Sequence, residues 1–171
     1  TKLSTGSSWV GGSAPTASQN ALFDSTIQSS TSANNGNGLT VKGIIVTNTG
    51  TAFTIKGSAN ATTIGANGIN MTSAANGNND FTITSPVSLS ASQTFNVATG
   101  RTLTISGNID NGNFDLTAKG AGDIILNKAL TGSGNLILED NGGTTTLTAT
   151  NSIYTGNVTV VNGTAVVTGN E

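Results

Sequence analysis

Gly134-Asn135-Leu136-Ile137-Leu138 repeats on both sides of itself. The pattern stands 22 residues earlier as Gly112-Asn113-Phe114-Asp115-Leu116 and 22 residues later as Gly156-Asn157-Val158-Thr159-Val160. Each copy is a Gly-Asn turn followed by apolar, any, apolar, the period-two alternation of a β-strand. A second series runs between the copies. Gly122-Asp123-Ile124-Ile125-Leu126 is followed by Gly143-Thr144-Thr145-Thr146-Leu147 and by Gly163-Thr164-Ala165-Val166-Val167. Gly100-Arg101-Thr102-Leu103-Thr104-Ile105 is an earlier member with one extra residue. A third, weaker series is Leu89, Ile109, Leu130 and Ile153.

Three interleaved apolar series at one shared period describe a coil. Each period is one rung of three short strands, and each strand pairs in parallel with its counterpart in the next rung, ~4.8 Å away. The expected fold is therefore all-β, a parallel β-helix (β-solenoid) of about six rungs with ~20–25 residues per rung. Glycine recurs too often for helix, and Val, Ile and Thr favour strands. The earlier half fits with longer turns. Ile45, Phe53 and Ile64 read as one rung, Met71, Phe81 and Leu89 as the next, and Phe95, Leu103 and Ile109 as the third. Asn34–Gly38 and Asn76–Asn79 read as the turns. Residues 39–171 form the repeat region. Residues 1–38 read as a cap-like or first-rung segment, in which Trp9 and Phe23 cover the apolar end that a solenoid must hide.

The 171 residues carry six Lys and Arg against eight Asp and Glu, a net charge of −2, and only 8% are charged. The basic residues are scattered, which argues against a nucleic-acid partner. No apolar run approaches the ~20 residues that span a bilayer, so membrane insertion by this chain is not expected. With 35% apolar residues at regular spacing, disorder is disfavoured as well. The start at Thr1 suits a processed or excised chain, and the abundance of Thr, Ser and Asn suits an outer-surface protein.

Chemistry is sparse. The chain has no His and no Cys, which removes histidine triads, thiol nucleophiles and the usual zinc sites. Asp80, Asp110, Asp115 and Asp123 could in principle act as a glycosidase pair. The register places Asp80 and Asp123 two rungs apart with Thr102 between, ~10 Å, and turn aspartates are ordinarily solvated. Gly120-Ala121-Gly122-Asp123 faintly resembles half of a glycine-aspartate calcium repeat, and Asp110–Asp115 is oxygen-rich without an EF-hand's glycine and glutamate. Neither predicts a metal, and no cofactor is expected. Asn113, Asn135 and Asn157 read as a stack along the axis rather than a ligand ladder. Tyr154 reads as a packing residue rather than a sugar platform.

Residues 129–167 resemble the autotransporter-associated β-strand repeat. The resemblance rests on Leu130-Thr131-Gly132-Ser133-Gly134-Asn135-Leu136-Ile137-Leu138, then Gly143-Thr144-Thr145-Thr146-Leu147, Asn151-Ser152-Ile153-Tyr154-Thr155-Gly156 and Gly163-Thr164-Ala165-Val166-Val167. Residues 107–132 resemble a degenerate copy, and Trp9, Gly12, Pro15, Ala21 and Phe23 resemble the opening of secreted proteins with such repeats. Thr145 and Ala165 depart from the family's leucines. The resemblance implies a right-handed parallel β-helix, exported by bacteria and displayed extracellularly or at the cell surface, with no catalytic residues. No barrel domain follows Glu171, so an excised passenger piece or another export route is implied.

The function expected is a non-enzymatic structural or adhesive solenoid that self-associates through its ends, end to end, into a filament. Trp9, Phe23, Ala165, Val166 and Val167 are the expected junction, because the last strand runs almost to the terminus without a cap. The alternative is a polysaccharide-binding or polysaccharide-cleaving module.

Overall fold

A computed structural model describes residues 2–27, 31–57, 59–71, 80–148 and 153–168. Among them are fifteen strands, two short 3-10 turns (Gly6–Ser8 and Ser25–Ile27) and no α-helix. In chain order the strands are β1 (Asn20–Phe23), β2 (Ser32–Asn34), β3 (Leu39–Val46), β4 (Phe53–Lys56), β5 (Thr62–Met71), β6 (Phe81–Ile83), β7 (Val87–Leu89) and β8 (Gln93–Val97). Then come β9 (Thr102–Ile105), β10 (Ile109–Asp110), β11 (Leu116–Gly120), β12 (Asp123–Leu126), β13 (Leu130–Thr131), β14 (Leu136–Leu147) and β15 (Val158–Val167).

Every strand pair is parallel, and the pairs build three flanks of one solenoid. Flank 1 holds β1, the second halves of β3 and β5, β8, β11, and the first halves of β14 and β15. Flank 2 holds β2, β4, β6, β9, β12 and the second halves of β14 and β15. Flank 3 holds the first halves of β3 and β5, then β7, β10 and β13. On flank 1, Ala21, Ile44, Ile69, Phe95, Ala118, Leu138 and Val160 are successive partners, which makes six turns of 23, 25, 26, 23, 20 and 22 residues. The expected parallel β-solenoid is therefore the observed fold.

The core is the stack of inward side chains. Phe53, Phe81 and Leu103 lie over one another on flank 2, as do Ile55, Ile83, Ile105 and Leu126, and all are buried. Phe23 enters from flank 1 and meets the rings of Phe53 and Phe81 at 5.2 Å each. Burying each such side chain contributes about 1.5–3 kcal/mol. Residues 2–19 are irregular and sit at the first-rung end, and β1 and β2 already belong to the first rung.

Three registers differ from the sequence reading. Leu116, not Phe114, pairs with Leu136, while Leu136 with Val158 and Leu138 with Val160 are as expected. Asn111–Phe114 is a turn, closed by Phe114 N–H to the Asn111 carbonyl (2.9 Å) and Gly112 N–H to Asp110 Oδ1 (2.9 Å). Gly134 instead passes over the Phe114 carbonyl so closely that a Cβ would stand 1.9 Å from its oxygen. The 22-residue repeat thus spans a 20-residue rung with a two-residue slip. On flank 3, Val87 rather than Leu89 aligns with Ile109 and Leu130, and Ile153 is 77% exposed. On β3, Ile44 and Val46 face the core and Ile45 faces outward, the one-residue parity that flips a side chain across a sheet. Ile124 and Leu126 point inward and are buried, and Leu147 stacks on Leu126 half-buried. The Asn76–Asn79 turn lies outside the described residues.

Candidate assembly interface

The two ends of the solenoid are unlike. At the first-rung end, Trp9 stands edge-on to Phe23 with ring centroids 5.8 Å apart, and its indole N–H donates to the Leu3 carbonyl at 2.7 Å. Leu3 is itself buried and its N–H bonds the Asn34 carbonyl, which lays the opening segment along β2. Phe23 is 2% exposed beneath this cover. A cavity of about 560 Å³ remains between the cover and the first rung, lined in part by Trp9, Val10, Leu22, Phe23, Ile27 and Phe53.

At the other end, β15 pairs with β14 alone among the described residues. Val158 and Val160 stack on Leu136 and Leu138, and Val167 stacks on Leu147. Leu136 and Leu138 are fully buried, yet Val158 and Val160 are each 50% exposed and Val167 60%. Val161 is exposed at an irregularity in the pairing, and Ala165 is half-buried. Val166 faces outward beside Thr146 rather than along the core column. Trp9 and Phe23 therefore meet one another at one end, while Ala165, Val166 and Val167 sit at the opposite end. The sequence reading missed Val158 and Val160, although their alternation continues that of Leu136 and Leu138.

The carboxylates hold rungs together. Asp80 Oδ1 accepts from Thr102 N–H (2.8 Å) and Asp123 Oδ1 from Thr144 N–H (3.0 Å), each one rung on. On flank 1, Ser92 Oγ accepts from Asp115 N–H (3.0 Å), Asp115 Oδ1 from Asn135 N–H (2.7 Å), and Asn135 Oδ1 from Asn157 N–H (3.3 Å). The side-chain ladder is thus Ser92–Asp115–Asn135–Asn157. Asn113 is not in it, because it belongs to the two-residue turn that displaces the register. Asp80 and Asp123 flank Thr102 two rungs apart, as expected from the sequence. A shallow groove of about 370 Å³ on flank 1 contains Asn67, Ser92, Thr94 and Asp115, with one carboxylate that is already engaged. The glycines of Gly120–Asp123 serve packing. Gly120 has φ +115°, and a Cβ there would stand 2.1 Å from the Val97 carbonyl oxygen. Among the described residues no three carboxylates converge as a metal site would require. Among the described residues no helix is long and apolar enough to cross a membrane. Tyr154 is half-buried, with its hydroxyl donating to the Gly134 carbonyl, and burial pushes its pKa up.

Two buried charges escaped the sequence reading. Arg101 is 3% exposed and its Nη1 donates to the carbonyls of Val46 (3.1 Å) and Met71 (3.4 Å). Burial lowers its pKa, and the nearby Asp80 opposes that shift. Asp140 is 1% exposed, continuing the inward file of Leu136 and Leu138, and Oδ2 accepts from the Thr145 hydroxyl at 2.7 Å. Burial raises its pKa, the Thr145 bond lowers it and the Asp123 charge raises it. Below about pH 4 the carboxyl is protonated in folded and unfolded chains alike. As pH rises past the unfolded value, the unfolded chain loses its proton first, so stability falls until the pH passes the raised folded value. The melting temperature of the wild type should therefore fall over that window, and Asp140→Asn should remove that part of the fall. Equal pH profiles for both proteins would contradict the buried placement.

Compared with protein-family models, characterised proteins and solved structures, the chain gives no match.

Proposed function

We propose that the chain is a non-enzymatic structural solenoid of the bacterial cell surface or extracellular space, and that it associates through its last rung. The carrying observation is the exposed inward file Val158, Val160 and Val167 on a strand whose outer edge is unpaired among the described residues. An open rung presents apolar side chains and a row of backbone donors and acceptors, which template another strand. The resemblance of residues 129–167 to surface-displayed repeats and the low charge support the extracellular setting.

The unlike ends favour one geometry of association. A filament needs the first-rung end as its second face, and there Phe23 is buried beneath Trp9. Two copies meeting through β15 need no rearrangement. They are related by a twofold axis, pair antiparallel and close as a dimer. A net charge of −2 opposes this weakly. Sedimentation velocity at high micromolar concentration should show a dimer. The double variant Val160→Lys/Val167→Lys should stay monomeric with an unchanged circular dichroism spectrum, since a desolvated charge in the junction costs several kcal/mol. Trp9→Glu should leave the dimer intact, whereas it would break a filament. A wild-type monomer at all concentrations would overturn the association.

A further inference from the structure

The penultimate rung carries a buried acid that no cation neutralises. Asp140 sits at the corner between flanks 1 and 2, in the inward file of β14, beside the fully buried Thr145. The Thr145 hydroxyl donates to Oδ2, and Oδ1 has no hydrogen-bond partner among the described residues. A buried carboxylate needs a cation or several donors, and here it has one hydroxyl. The charged groups on the neighbouring strands supply nothing more. On β11 the partner of Asp140 is Gly120, and Lys119 is turned to Glu139 of β14 on the outer face (3.4 Å). β12 brings Asp123, a like charge. β15 has no ionisable residue. Arg101, buried at the same corner two rungs earlier, directs Nη1 to the Val46 and Met71 carbonyls in still earlier rungs.

On the side of the earlier rungs the corner is closed. A Cβ on Gly143 would strike the Gly122 carbonyl, and one on Gly120 or Gly122 would strike the backbone of the rung before. On the other side lies only β15. Gly163 crosses directly over Asp140 with φ +88°, and a Cβ there would stand 2.5 Å from that of Asp140. The β14–β15 register breaks at the same point, between Leu138 and Glu139 and again between Glu139 and Thr144. Lifting the β15 corner therefore gives Asp140 access to water without disturbing the earlier rungs. We infer that Asp140 is a pH-sensitive latch for the last rung: the neutral carboxyl lets β15 close over it, and ionisation opens the corner. Burial raises the pKa of Asp140, the Thr145 bond opposes that shift and the Asp123 charge adds to it. The closed corner thus holds the proton more tightly than the open one. Closure is strongest below the ordinary carboxylate value and weakens as pH rises through the raised value, by about tenfold per pH unit between the two. Where copies associate through β15, acid tightens the association. That consequence rests on the function proposed above; the latch itself does not.

The test is hydrogen exchange in protein dilute enough to be monomeric, from about pH 3.5 to 7, corrected for the intrinsic pH dependence of exchange. In wild type the β15 amides bonded to β14 should lose protection as pH rises, while those of β4, β6 and β9 keep theirs. Asp140→Asn should hold β15 protection level across the range. Thr145→Val should move the loss to higher pH, because the carboxylate loses its one donor, and this variant decides the matter if Asp140→Asn does not fold. Level β15 protection in wild type overturns the latch, as does the same fall in Asp140→Asn. Sedimentation over the same pH range separates the latch from the association. A dimer that weakens with rising pH in wild type but not in Asp140→Asn supports both. A monomer at every pH, with β15 protection that still falls, supports the latch and overturns the association. A dimer with level β15 protection does the reverse.

Discussion

Leu138→Asp should dismantle the last rungs of the solenoid. Leu138 is fully buried between Ala118 and Val160, and Asp140 already points the same way two residues on. A second carboxylate there has no partner to neutralise it, and burying it costs several kcal/mol. That is a large part of the ~5–15 kcal/mol that holds a domain of this size. A solenoid is stabilised rung by rung, so the loss should stay local. Hydrogen exchange should show β11, β12, β14 and β15 losing protection while β3 to β6 keep it. Far-UV circular dichroism should lose part of its strand signal rather than all of it. A variant that melts like wild type would mean that Leu138 is not in the core column.

Phe81→Ala should be the costliest truncation at the opposite end. Phe81 is fully buried, stacks on Phe53 with centroids 6.1 Å apart and meets Phe23 at 5.2 Å. Removing such a ring from a packed core costs about 3–5 kcal/mol, transfer and cavity together. For a chain of this length that lowers the melting temperature by roughly 6–20 °C. The single tryptophan supplies a local reading. Trp9 rests on Phe23, which rests on Phe81, so its emission should move toward that of a solvated indole. Thr82→Ala, one residue away and facing outward, should change stability by less than about 0.5 kcal/mol. Equal losses from the two changes would contradict the inward placement of Phe81.

Flank 2 was the legible part of the sequence. Its later strands follow a glycine or a turn carboxylate (Asp80, Gly100, Gly122, Gly143) and alternate cleanly, so Leu103–Ile105, Ile124–Leu126 and Thr145–Leu147 align as read. Flank 3 was less legible because β10 and β13 are two residues long, too short for alternation to distinguish Val87 from Leu89. The repeat at Gly112 misled because the same Gly-Asn pair makes a closed turn there and a strand entry at Gly134. Parity, followed strictly, would have found both buried charges. Arg101 stands two before Leu103, and Asp140 two after Leu138, each on the inward side. The outward file Thr54, Thr82, Thr104, Ile125 and Thr146 on flank 2 needed the register itself, since its members are 21 to 28 residues apart in the chain and adjacent only across rungs.

The open rung can be examined directly by hydrogen exchange of the backbone amides of β15, followed at low and high protein concentration. Those amides of β15 that point away from β14 have no strand partner among the described residues. If the last rung is the surface on which copies associate, they should exchange fast in dilute protein and become protected as the dimer forms. The amides of β14 should stay protected throughout. Exchange of β15 that is the same at both concentrations, in protein that remains folded, would contradict the account.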